Sequence, residues 1–125
     1  MTRKVLTFSA AIEAATGLAA LGVPLFVGQL LLGVEVSGVA SVVVRCFGIA
    51  LIALSVACWP GAEATVLRRG AVRGMLLYNG LIALCLAYAG GVDGLRGPLL
   101  WPAVILHAVV ALLLVRPRST SPSTP

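Results

Sequence analysis

Four residues carry side chains able to do chemistry where the surrounding sequence is apolar: Glu13, Arg45, Asn79 and His107. Glu13 sits in AAIEAATG, Ala10 to Gly17, within a run otherwise suited to hydrocarbon. A charged residue at the centre of a membrane helix costs about 2.5–3.5 kcal/mol on insertion scales. Two unpaired charges would therefore cost roughly 5–7 kcal/mol, comparable to the net stability of a small protein. Glu13 is thus expected to be either neutral or paired. Arg45, always charged, is the expected partner across the core, with His107 the other candidate and Asn79 nearby. Such a cluster can be an ion pair that fixes helix register. It can also bind a ligand or move a proton, the default hypothesis for intramembrane ionisable groups.

These residues need elements to position them. The chain has 125 residues, 60% hydrophobic and 10% charged. Soluble domains average roughly 45–50% apolar and about 25% charged, and so short a chain cannot hide that much apolar surface from water. A spanning helix needs about 20 mostly apolar residues, and four runs qualify: about 5–23, 36–59, 71–90 and 98–115. The expected fold is all-α, an integral membrane four-helix bundle occupying residues 1–115. The connectors are GVEVSG, GAEATVLRRG and GVDGLRG, and RPRSTSPSTP (116–125) has the composition of a disordered cytoplasmic tail. PLFVGQLLLG, Pro24 to Gly33, either prolongs helix 1 with a kink or forms a short interfacial helix with Pro24 in its first turn. The second is preferred, because Val5 to Leu32 is too long for one untilted span. MTRK precedes too short an apolar core, interrupted by Glu13, to read as a cleaved signal peptide.

Charge sets the orientation. Arg3, Lys4, Arg68, Arg69, Arg73, Arg116 and Arg118 fall on one side of a four-span layout, and Arg96, Glu35 and Asp93 on the other. The positive-inside rule places both termini in the cytoplasm. Arg68, Arg69 and Arg73 in RRGAVRG also suit anionic lipid head groups. Trp59 and Tyr78 read as aromatic anchors of the cytoplasmic interface, Tyr88 and Trp101 of the outer one.

Helices in lipid associate largely through small residues. Ala10, Glu13, Gly17, Ala20 and Pro24 form one such stripe. Gly38, Ser41, Arg45, Gly48, Ile52 and Ser55 form another; Asn79, Ala83, Ala87 and Gly90 a third; Ala103, His107 and Ala111 a fourth. These stripes are expected to face one another. At 1.5 Å per residue, Glu13 and His107 lie about 12 Å from the cytoplasmic helix ends, Asn79 about 8 Å and Arg45 about 16–21 Å. The four form an expected polar ladder near mid-bilayer.

Other chemistries lack their residues. There is no GxSxG, HExxH or phosphate-gripping loop, and no second carboxylate near Glu13. Cys46, Cys58 and Cys85 form no CxxC pair and, with one histidine in the chain, suggest no zinc site; they are expected to be small buried apolar residues. The basic residues mark segment ends rather than one face, which argues against nucleic acid. No enzyme activity, cofactor or metal is expected.

Pro24 after helix 1, LLLG (30–33), RCFGIALIAL (45–54), LLYNGLIALCLAYAG (76–90) and GPLLWPAVILH (97–107) resemble the small four-span bacterial membrane proteins loosely grouped as DoxX-like. The resemblance covers most of the chain, implies a four-helix bundle in the bacterial cytoplasmic membrane, and implies no particular activity. Glu13 also resembles the helix-1 glutamate of small multidrug-resistance transporters, but Arg45, the strong charge bias and the sparse aromatics depart from that family. Two functions follow as expectations. One is an accessory or interaction subunit of a larger membrane complex. The other is an autonomous carrier or channel, as a homodimer, built on Glu13, Arg45 and His107. An exposed small-residue seam outside the polar stripes would favour the first.

Overall fold

The structure, a computed structural model, describes residues 2–59 and 65–115, and the side chains of residues 3–59 and 69–115. Those residues form five helices and no strand: α1 (Thr2–Gly22), α2 (Pro24–Leu32), α3 (Val39–Cys58), α4 (Thr65–Gly91) and α5 (Leu100–Val115). The sequence-predicted tail, 116–125, with Arg116 and Arg118, lies outside the described residues.

Apolar length explains the long helices. Arg3–Gly22, Val39–Cys58 and Arg69–Gly91 are each long and apolar enough to cross a membrane, while Leu100–Val115 is apolar but shorter. The fourth expected span therefore begins two residues late. Gly97 and Pro98 are spent on the turn that docks against α2. At the other end, α4 starts at Thr65. Part of the expected connector GAEATVLRRG is helical, since TVLRR contains nothing that stops a helix.

The break after α1 has a defined cause. Proline has no N–H and its ring clashes with the preceding turn, so Pro24 cannot continue α1. Val23 adopts φ −132°, ψ 59°, and Pro24 opens α2 within its first turn. The expectation of a separate short helix holds. Gly33 ends α2 in the left-handed region (φ 74°), its N–H bonded to Gln29 O. The end of α2 then docks on the α4–α5 connection, where the Leu99 N–H donates to Leu30 O at 2.8 Å.

The long helices pack in a ring, α1 beside α3, α3 beside α4, α4 beside α5 and α5 beside α1. Packing is most extensive within two pairs, α1/α3 and α4/α5. In the first pair the backbones nearly touch: a Cβ on Gly17 would lie 2.7 Å from Gly48 O, and one on Gly48 would lie 2.6 Å from Gly17 O. Only two glycines permit that approach. An apolar cluster of Leu6, Ala10, Cys58, Met75, Val110 and Leu114 closes the end of the bundle near residue 6.

The distribution of polarity is inverted relative to a water-soluble protein. Glu13 and Asn79 are 2% and 1% exposed, and Ser9 and Ser55 are also buried. By contrast Val39, Leu84 and Leu112 are 81%, 70% and 67% exposed. Every residue of the expected α1 stripe, Ala10, Glu13, Gly17, Ala20 and Pro24, is buried. In α3 only the later part of the stripe is, and the buried set is Gly48, Leu51, Ser55 and Cys58. Cys46 and Cys85 are exposed, contrary to the expected burial of all three cysteines. Both project from outward apolar faces, which hydropathy alone cannot distinguish from inward ones.

Candidate functional site

The polar centre is assembled from three helices. α1 contributes Ser9 and Glu13, one turn apart and hence on one face. α4 contributes Met75, Tyr78 and Asn79, and α5 contributes His107. The sequence-derived depths of Glu13, Asn79 and His107 agree well enough to bring these three together.

The hydrogen bonds fix the chemistry. Tyr78 Oη donates to Glu13 Oε2 at 2.9 Å. Asn79 Nδ2 donates to Met75 O at 2.8 Å and to Ser9 Oγ at 3.4 Å. Because a backbone carbonyl can only accept, the Asn79 amide nitrogen must face Met75, and its oxygen must face His107. His107 Nδ1 lies 2.8 Å from Asn79 Oδ1. That oxygen can also only accept, so Nδ1 carries the hydrogen. The same Nδ1 is 4.0 Å from Glu13 Oε1, beyond hydrogen-bond range but within ion-pair range if His107 is charged. The Tyr78 ring meets the His107 ring edge-on, centroids 5.8 Å apart at 81°, a favourable aromatic geometry. Among the described residues every buried side-chain nitrogen and oxygen has a partner.

Arg45 is the correction. It does not pair with Glu13; it is exposed, and its Nη1 donates to Leu21 O at 2.7 Å. Gly17 stands against Gly48, so the antiparallel register puts Arg45 level with Leu21. Leu21 is eight residues beyond Glu13, about 12 Å along α1. The depth expected for Arg45 was thus too close to Glu13's. The true partner has a physical logic. The α1–α2 break at Val23 leaves α1 carbonyls without helical donors, and a cation at a helix C-terminus is favourable. Arg45 caps α1.

Tyr78 is the residue sequence reasoning missed. Its position near a helix start reads as an interfacial anchor, yet it is part-buried and bonded to Glu13. Its adjacency to Asn79 was the available signal. Ser9 was missed as well, its signal being the four-residue spacing to Glu13. Among the lipid head group candidates, Arg69 and Arg73 are exposed at the end of α4 near Cys58, while the Arg68 side chain lies outside the described residues.

The fold and centre together define an all-helical, inverted-polarity bundle with a hydrogen-bonded polar core. No protein-family model, curated protein or solved structure matches the chain.

Proposed function

We propose that this chain is a multi-pass protein of the bacterial cytoplasmic membrane, acting as an accessory or interaction subunit. The observation that carries the reading is the inverted polarity: serines, an asparagine and a glutamate inside, with valine and leucine outside. In water, exposed apolar area costs about 25 cal/mol per Å²; in lipid it costs nothing. α5, 16 residues long, covers about 24 Å of a roughly 30 Å core. The segment before it supplies the remainder. Its backbone is bonded to protein, Leu95 N–H to Ala89 O and Leu99 N–H to Leu30 O, as irregular backbone at membrane depth requires.

Charge supports four spans with both termini cytoplasmic. Arg3, Lys4, Arg69 and Arg73 belong to the end of the bundle formed by the start of α1, the end of α3 and the start of α4. Glu35, Asp93 and Arg96 belong to the opposite end. The resemblance to DoxX-like proteins agrees with this layout and assigns no activity.

The accessory role rests on what faces inward and outward. Inside, the fully buried side-chain nitrogens and oxygens of the described residues all have hydrogen-bond partners. Outside, Cys46, Ala50, Ala53 and Ala57 run along α3 at steps of 4, 3 and 4, all exposed. Small residues at helical spacing permit close approach by another helix. With Arg45 about 12 Å along the bundle from Glu13, a carrier built on Glu13, Arg45 and His107 loses its arginine. The deciding experiment is gentle extraction of the tagged protein from its own membrane, followed by native mass spectrometry. A reproducible heavier partner is expected. A bare monomer or dimer holding a small molecule would overturn the accessory reading in favour of a carrier.

A further inference from the structure

We propose that Glu13 Oε1 is a proton-binding site at the seam between the α1/α3 and α4/α5 helix pairs. The inference goes beyond the accessory reading and does not depend on it. It starts from the donor inventory of the core. Tyr78 gives its one hydroxyl hydrogen to Glu13 Oε2. Asn79 Nδ2 is committed to Met75 O and Ser9 Oγ. His107 Nδ1 gives its hydrogen to Asn79 Oδ1. Glu13 Oε1 makes no hydrogen bond among the described residues, and His107 Nδ1 stands 4.0 Å from it. A carboxylate offers about four lone-pair positions, and this one has a single donor. Every fully buried side-chain oxygen among the described residues has a partner, so Oε1, which has none, keeps a sliver of accessible surface in a 2% exposed residue. It is the strong acceptor left open, and a proton is the ligand that fills it.

The surroundings restrict the alternatives. From α4 the titratable group facing Glu13 is Tyr78, and from α5 it is His107. From α3, Cys58 is buried in the adjoining apolar cluster, its thiol aimed at Ala71 O. α2 carries no titratable side chain. On α1 itself, Arg3 and Lys4 are exposed near its start. The permanent cation of α3, Arg45, is engaged at Leu21 O. No fixed positive charge among these balances a carboxylate at Glu13, so the proton is the available counter-charge.

The step is simple. A hydronium ion gives its proton to a lone pair of Oε1. One O–H bond of hydronium breaks, one O–H bond to Oε1 forms, a water molecule leaves, and the carboxylate charge is discharged. Tyr78 keeps its bond to Oε2, which becomes the carbonyl oxygen of the acid. The atom assignment yields a spectroscopic signature, because a C=O stretch rises in frequency when its hydrogen bond is removed.

The test is pH-stepped infrared difference spectroscopy of the full chain in phospholipid vesicles. The wild type is expected to show a buried carboxylic-acid C=O band that is lost in Glu13→Gln. In Tyr78→Phe the band is expected to persist and shift to higher frequency. A band unchanged in Glu13→Gln would overturn the proposal. So would a band unshifted in Tyr78→Phe, a variant that keeps Glu13 and remains informative if Glu13→Gln does not fold. Uptake seen only as an imidazolium signal from His107 would also overturn it by placing the proton on Nε2. A partner detected or missing by mass spectrometry leaves this readout untouched.

Discussion

The α1/α3 contact and the α1/α4/α5 seam hold helices together by opposite means. At the first, Gly17 and Gly48 bring two backbones together with no polar side chain between them. At the second, Glu13 and Ser9 of α1 accept hydrogen bonds from Tyr78 and Asn79 of α4, and Asn79 in turn accepts one from His107 of α5. Where apolar side chains gain nothing from leaving an apolar solvent, dispersion at close approach and internal hydrogen bonds are what remain. Close approach tolerates no added atoms. A hydrogen-bonded seam tolerates changes of shape but not the loss of one member. The two regions should therefore fail differently.

The largest effect is expected at the glycine contact. Gly48→Leu drives a side chain into Gly17 O and the Leu21 N–H, and should cost about 3 kcal/mol or more, because backbone cannot step aside as a side chain would. Unfolding of the purified protein in mixed micelles measures it, and a loss under about 1 kcal/mol would mean the pair is looser than described. Asn79→Leu should come next, at roughly 2 kcal/mol in the same assay. It removes the acceptor of His107 Nδ1–H and leaves that donor without its partner.

A smaller effect sharpens the contrast between Tyr78 and Arg45. Tyr78→Phe should cost about 1 kcal/mol, and its effect should shrink when Glu13 is already Gln. Membrane double-mutant cycles usually give couplings of about 0.6 kcal/mol. Glu13→Gln and Arg45→Met should instead add to within about 0.5 kcal/mol, as separated sites do. A coupling between Glu13 and Arg45 larger than that between Glu13 and Tyr78 would invert the assignment of partners. The smallest effect belongs to Arg45→Met alone, about 0.5 kcal/mol, with faster hydrogen exchange confined to the end of α1 and the start of α2. Exchange rising throughout the bundle would show that Arg45 does more than cap α1.

Much of this was legible beforehand because it depends on local chemistry. Proline lacks an N–H, so the break at Pro24 could be read directly. The α1 stripe from Ala10 to Pro24 is buried as a small-residue face should be. The shared depth of Glu13, Asn79 and His107 followed from counting helical rise. Arg45 defeated the same counting because α3 begins at Val39, three residues later than its apolar run, and because Gly17 against Gly48 sets the antiparallel register. A rise gives distance along one helix; it does not give the offset between two.

The sequence by itself determined the all-helical class, the long apolar segments, an interruption at Pro24 and the segregation of charge. Each depends on composition, period or a single residue's covalent geometry. Tertiary structure decided which partners the polar residues take. It gave Arg45 to a carbonyl freed at the helix break and Glu13 to Tyr78, and it fixed the His107 tautomer through the Asn79 amide. Those choices turn on ångström-scale offsets and rotations between helices. The Gly17–Gly48 contact and one docked connection set these offsets, and no count along a single helix contains them.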